Sequence, residues 1–412
     1  MKKFLYMALL FALFVSMACD QEKLPLPVPN ITTTSFGAND TSYIELFPVW
    51  NSEHLGYTLN QPQDIIIGPD GLIFLADKGN NRILTLTKAG DIVNRDGMGS
   101  LQISHPQNLA IDSRLNLFMT NQSDTLYGWN QYLNSIAIDK VAESGTFYDT
   151  ESQETVTMTI FEYSLQVAQG NTSLQPQELN YTSDANVLQK VKQIYPVYVA
   201  QEGGSQFNGV TAGPYGQFNV YISESTHDKI IQIQLIPQRI IMTANGTMLY
   251  QHRGLFINNP VSFGSGAGTA DDPYSLLTDR DGNLYFSQLG GNFRVQKLFQ
   301  SSWSPAYVLY QHDIMDLNRF DTPYDLALDD NGNLFVVDAA SKSVSKFDNS
   351  GQNAGNLLPL GDKGLAVTEF ENPRGIMVSE NIVYVVESGR NRIRRFQYSV
   401  SESDLPDDDK KP

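Results

Sequence analysis

The sequence predicts an all-β fold, a six-bladed β-propeller, and three observations predict it. One strand-turn-strand pattern returns six times between about residues 62 and 399. The copies at Pro273, Pro323 and Pro373 start about 50 residues apart, a period that fits four-stranded blades packed radially. The chain also has a single cysteine, so neither an internal disulfide nor a thiolate metal site holds it. Stability must come from an apolar core, for which a 41% hydrophobic composition is ample.

Each copy opens on an anchor residue: Pro62, Pro106, Phe207, Pro273, Pro323 or Pro373. A short apolar strand follows, then a turn such as Pro69-Asp70-Gly71 or Asp330-Asn331-Gly332, then a second β-branched or aromatic strand. That second strand ends on a polar residue 14 to 17 positions past the anchor: Asp77, Asn121, Glu224, Gln288, Asp338 or Glu387. Five to seven positions later an apolar residue (Ile83, Leu126, Ile230, Val295, Val344, Ile393) marks a third strand. One copy is thus one antiparallel sheet, and since a lone sheet cannot bury both faces, the ring must close. The last copy runs out after its third strand near Tyr398, while TSYIELFPVW at 41–50 is a strand-like segment without a copy of its own. This N-terminal strand is expected to complete the last blade and so remove an exposed sheet edge.

The order Pro-x-Asp-Ile, Gly-Leu-Ile-Phe-Leu-Ala-Asp, Asn81-Arg82-Ile83 resembles the NHL repeat, and Pro373-Arg374-Gly375-Ile376 with Asn391-Arg392-Ile393 repeats it. The resemblance covers about residues 55–399. It is close in copies one, five and six, looser in two and four, and weakest in three, which lacks the proline. It implies NHL-type blades in a six-bladed ring.

The ends read differently. Residues 1–18 have the basic, apolar and small-residue order of a secretory signal, with an apolar stretch of about a dozen residues, short of the roughly 18 to 20 that a bilayer-spanning helix needs. Val15-Ser16-Met17-Ala18-Cys19 resembles a bacterial lipobox, which implies lipidation of Cys19 and anchorage to a membrane. Residues 19–40, polar and proline-bearing, read as a flexible tether, and 400–412 as a disordered acidic tail, leaving 41–399 for the propeller. The protein is therefore expected at the cell envelope, with the outer membrane favoured over the inner. With 28 basic against 45 acidic residues, a formal charge of −17, the surface repels phosphate backbones and excludes nucleic acid as a partner.

Two stretches exceed the period. An insertion of about 130–204, placed between the second and third blades, contains an alternating segment at 155–165 and a helix expected at 185–194. A smaller excess at 237–270 holds a glycine-rich run, 264–268, which lacks the Lys-Ser/Thr of a phosphate loop and reads as a flexible approach to the fourth blade.

Candidate chemistry follows from the ring. The starts of the innermost strands should surround one mouth of a central channel, at Asp64, Asn108, Asn208 or Gly209, Ser275, Asp325 and Gly375. Asp64, Asn108 and Asp325 would suit a hard divalent cation such as Ca²⁺, which takes oxygen ligands. The residues just after the anchors, Gln63, Gln107, Tyr274, Tyr324 and Arg374, are expected to form an aromatic and polar rim for a peptide, glycan or protein ligand; the equal alternative is that the tyrosines only pack blades together. The acids and amides that end the second strands recur once per copy. They are expected to accept hydrogen bonds from the following turn, with Arg82, Arg294 and Arg392 as partners or neighbours. Of His54, His105, His227, His252 and His312 only His105 sits at a channel-mouth position, too few for a zinc lyase, and no hydrolase elbow or zinc-protease string is present. The expectation is a non-catalytic binding or scaffolding module without a cofactor. The alternative is a metal-dependent, lactonase-like hydrolase or a lyase with its site in the channel.

Overall fold

A computed structural model describes residues 42–93, 100–317, 319–354 and 370–399. The expected signal, Cys19, the tether and the acidic tail lie outside the described residues.

The anchors open the innermost strands almost as the sequence predicts: β2 (Pro62–Ile67), β6 (Asn108–Ile111), β13 (Phe207–Ala212), β17 (Pro273–Thr278), β20 (Pro323–Leu328) and β23 (Pro373–Ser379). Only Pro106 falls outside, two residues before β6. Second strands follow as β3 (Ile73–Asp77), β7 (Asn116–Thr120), β14 (Asn219–Glu224), β18 (Leu284–Gln288), β21 (Leu334–Asp338) and β24 (Ile382–Glu387). Every residue of β3, β7, β18 and β21 is buried, the pattern of a strand covered on both faces by neighbouring sheets. Third strands are β4 (Arg82–Leu86), β8 (Thr125–Asn130), β15 (Lys229–Thr243), β19 (Val295–Leu298), β22 (Ser343–Phe347) and β25 (Arg392–Ser399). The turns between first and second strands carry their own fastening. Asp329 accepts from the backbone N–H of Asn331 and Asn333 at 3.0 and 2.8 Å, and Gly332 supplies the φ of 80° that the turn requires.

The described residues form six antiparallel sheets, and their innermost strands neighbour one another in the cycle β2, β6, β13, β17, β20, β23 and back to β2. Between each sheet and the next lies an apolar cluster drawn from both. Phe74 and Ile83 meet Leu117 and Met119; Phe118 and Leu126 meet Val210 and Val220; Tyr221 and Ile230 meet Leu276 and Leu284. Tyr285 and Val295 meet Leu326 and Leu334; Phe335 and Val344 meet Ile376 and Val383; Met377 and Tyr384 meet Ile65 and Ile73. The core is thus a set of radial wedges and the fold is a β-propeller.

β1 (Ser42–Trp50) pairs antiparallel with β25, Ser42 opposite Ser399 through Leu46 opposite Arg395, and after an irregularity Trp50 opposite Ile393. Trp50 is fully buried in the wedge between the sixth and first sheets. Arg394, 1% exposed, donates to both carboxylate oxygens of Glu45 at 2.7 and 2.9 Å, with the Phe370 and Phe396 rings 4.8 and 5.0 Å from its guanidinium.

The long insertion sits elsewhere than the sequence suggests. It leaves the second sheet after β8 and returns as β12 (Tyr195–Val199), which pairs with β8 as that sheet's fourth strand, so it interrupts the second sheet before its last strand. Its body, β9 (Ile138–Asp149), β10 (Glu154–Thr159) and β11 (Leu174–Thr182), joins the third sheet through β9 on β15. The alternation at 155–165 is strand only to Thr159, where a capping box with Glu162 starts a helix, Ile160–Ala168. The helix expected at 185–194 spans Ala185–Val191. The excess at 237–270 is mostly not loop: β15 runs on to Thr243 and pairs with β16 (Met248–Val261).

Candidate functional site: the channel mouth

Proline and its neighbours fix where each innermost strand begins, and the ring brings those beginnings together. Asp64, Asn108, Ser275 and Asp325 are all buried at the channel floor. Their polar atoms are spent on the next sheet. Asp64 Oδ2 accepts from Leu109 N at 2.6 Å and from Asn108 Nδ2 at 2.9 Å, and Oδ1 from Ile65 N at 2.6 Å. Asn108 Oδ1 accepts from Val210 N at 2.8 Å. Ser275 Oγ donates to Asp325 Oδ1 at 2.7 Å, and Ile376 N donates to Oδ2 at 2.8 Å. In the third sheet, where Gly209 offers no side chain, Ser223 Oγ takes over. It accepts from Gly209 N at 2.6 Å and donates to Tyr274 O at 2.7 Å. Gly375 is required by closeness: a Cβ there would lie 2.7 Å from the Asp64 Cα. The floor is therefore a hydrogen-bonded belt between sheets.

Asp64 and Asp325 face each other in this belt. Burial, and then the Asp325 charge, hold the Asp64 carboxyl well above the usual carboxylate range, and burial pushes Asp325 up to about 6. Removing both from water disfavours two adjacent charges, so the pair favours sharing a proton. As a cation site this arrangement fits poorly. The carboxylate oxygens already accept from backbone N–H and hydroxyl groups, and Asn108 turns its NH₂, not its oxygen, toward Asp64. Among the described residues no three His, Cys, Asp or Glu side chains are grouped to hold a metal ion.

Above the floor opens a cavity of about 650 Å³. All five rim residues predicted from the sequence, Gln63, Gln107, Tyr274, Tyr324 and Arg374, line it. Tyr274 and Tyr324 meet edge-on, ring centroids 4.9 Å apart, and the Arg374 guanidinium lies over the Tyr324 ring at 3.6 Å. Gln107 Nε2 donates to the Tyr274 hydroxyl, and Gln63 Nε2 donates to Ser388 Oγ at 3.1 Å. The tyrosines thus do both things the sequence left open: they pack on each other and they line the mouth.

Sequence reasoning missed Lys78, Gln122, Leu289 and Ser388, which also line the cavity. Each is the residue directly after the polar end of a second strand, so the same alignment that picked out Asp77, Asn121, Gln288 and Glu387 held the signal one position on. Lys78 Nζ donates to Gln107 Oε1 at 2.7 Å and to Gln122 Oε1 at 3.1 Å. Burial, then the Arg374 charge, lower its pKa.

The recurring acids do structural work, with a partner the sequence did not suggest. Besides the following turn, most clamp the loop before their own innermost strand. Asn60 N donates to Asp77 Oδ1 at 2.8 Å, Gln206 N to Glu224 Oε1 at 3.1 Å, Asp321 N to Asp338 Oδ2 at 2.7 Å and Glu371 N to Glu387 Oε1 at 2.9 Å. Arg82 and Arg392 pair with Asp77 and Glu387, whereas Arg294 donates to the Asp321 carbonyl in the next sheet. His105 is exposed and is not among the residues lining the mouth.

Several solved structures resemble the chain distantly. The chain is similar to virginiamycin B lyase from Staphylococcus aureus (11% identity, TM-score 0.42, 87% of this chain and 99% of that one). It is also similar to a gluconolactonase from Xanthomonas campestris (10%, 0.46, 89% and 99%) and to an auxiliary nutrient binding protein from Bacteroides thetaiotaomicron (9%, 0.45, 83% and 70%). These likenesses concern the fold. No protein-family model and no curated protein matches the sequence.

Proposed function

We propose that this chain is a non-catalytic binding propeller that holds a small polar ligand at the mouth of its channel. The observation that carries the reading is the lining of that mouth: two cations, two tyrosines and seven Asn or Gln side chains, with no Asp, Glu or His among them. Such a surface offers hydrogen bonds and aromatic faces, and a volume of about 650 Å³ lies in the range of ligand pockets. It offers no carboxylate or imidazole to move a proton, and Lys78 is held by two glutamine oxygens.

In this reading each of the six sheets is one blade of an NHL-type six-bladed ring, and β1 is the fourth strand of the last blade. Six wedge cores and the pairing of β1 with β25 support that count. Residues 1–18 are a cleaved signal, and lipid on Cys19 fixes the protein at the cell envelope, the outer membrane favoured over the inner. The lipobox-like 15–19 supports this.

The competing reading is a metal-dependent hydrolase, and the facing pair of Asp64 and Asp325 is the observation that favours it. Two cations at the mouth and a floor whose oxygens are already bonded oppose it. Elemental analysis of the purified full chain, followed by calcium and zinc titration of its thermal unfolding, separates the two. The binding reading expects no stoichiometric metal and no shift in midpoint. A stoichiometric metal that is lost in Asp64→Asn would hand the channel to the hydrolase.

A further inference from the structure

We propose that the mouth selects an anionic sugar, an oligosaccharide bearing carboxylate groups, through Lys78 and Arg374. The inference rests on the mouth being a binding site. It starts from a contrast of charge: the chain carries 45 acidic residues against 28 basic ones, yet the residues lining the mouth include two cations and no acid. The sign at the mouth is opposite to that of the chain as a whole.

Neither cation has the carboxylate partner that other framework cations have. Arg82, Arg392 and Arg394 meet Asp77, Glu387 and Glu45. Lys78 instead donates to two neutral glutamines, and Arg374 Nε donates to Asn372 Oδ1 at 3.0 Å while its plane covers Tyr324. Both cations are half-buried, and each sits within reach of the other's field, which is unfavourable until an anion enters between them. The acidic floor does not fill that role, because its oxygens accept from Leu109, Ile376, Ser275 and Asn108.

The rest of the lining points to a sugar as the carrier of the anion. Gln63 Nε2 is spent on Ser388, Asn391 Oδ1 on the Gln61 N–H and Gln122 Oε1 on Lys78, which leaves Gln63 Oε1, Asn391 Nδ2 and the Gln61 side-chain amide in the lining to meet hydroxyl groups. Tyr324, half-buried, adds an edge for the apolar side of a ring, since Arg374 lies over its face and Tyr274 is buried. An acidic peptide would share the charge and pair its backbone with amides, and the tripeptide arm below separates it from the sugar.

The test is calorimetric titration of the full chain in detergent with trigalacturonic acid, with neutral galactotriose, with sulfated galactotriose and with an acidic tripeptide. The expected result is binding of the uronate at least about tenfold tighter than the neutral sugar, weakened by salt, as charge-assisted bonds in a partly dry site imply. Arg374→Gln and Lys78→Gln should each erase most of that preference while leaving weak neutral binding, and Arg374→Lys should restore part of it. Equal binding of neutral and acidic sugars, unchanged in Arg374→Gln, would overturn the charge selection but leave the mouth a binding site. Preference for the sulfated sugar over the uronate would overturn the carboxylate assignment. Tight binding of the tripeptide alone would overturn the sugar class. A uronate preference that survives intact in both variants would remove the mouth from the account altogether, and so would no binding at all.

Discussion

At the channel floor two carboxyls are kept where water cannot reach them, and what they stabilise depends on their proton. An ordinary aspartate titrates near pH 4, whereas Asp325 is pushed up to about 6, so between those values the folded protein holds a proton that the unfolded chain has released. For such a raised group the stabilisation is complete below about pH 4 and is lost as pH rises through about 6. Asp325→Asn can keep the bonds to Ser275 and Ile376 without titrating. Its stability relative to wild type should therefore improve by about 1–3 kcal/mol between pH 4 and pH 7.5, as measured by urea unfolding. A pH-independent difference would contradict the shared proton. The positions of these residues were legible in the sequence, because the anchors fix the register of every innermost strand. Their role was not. Spacing shows that Asp64, Asn108 and Asp325 converge, but not that their oxygens face the backbone N–H groups of the adjacent sheet. Lys78 was hidden for a related reason: it opens the short 3-10 helix Lys78–Asn80 one position past the aligned Asp77, where period 2 has ended, and spacing alone does not show that it faces the channel.

Among the elements, β1 supplies the sixth sheet with both a strand and an ion-pair partner. Its pairing with β25 covers what would be the outer edge of the sixth sheet, and Glu45 reaches the buried Arg394 from β1. Glu45→Ala leaves that guanidinium without its carboxylate, and breaking such a pair costs about 3–5 kcal/mol. Urea unfolding should show this loss, and little loss for Glu53→Ala in the exposed helix Ser52–Leu55 that follows. An equal effect at both sites would contradict the latch. The repeat strands were readable because burial on both faces leaves continuous apolar runs between turn residues. The insertion was not. Its alternation at 155–165 continues through a real strand into a real helix, and the switch is made locally by the Thr159 and Glu162 capping box, which a two-residue period cannot reveal. Nor does sequence order tell that Tyr195–Val199 returns to the sheet left 65 residues earlier, since strand return is decided by tertiary packing.

At the scale of the whole molecule the account joins an acidic ring to a cationic mouth. The ring follows from repetition, and its wedge cores make it rigid enough to hold the rim side chains in one place, which is what a preorganised binding site requires. The negative surface repels anions at long range, so selection must come from the mouth at short range, where burial strengthens each contact. The most direct test of the central claim is proton NMR of the full chain mixed with trigalacturonic acid, read for saturation transfer and followed for a day. The expected result is transfer from protein to ligand that falls sharply in Arg374→Gln, with ligand signals unchanged in shift and intensity throughout. Undiminished transfer in that variant, or the growth of product signals at the ligand's expense, would contradict it.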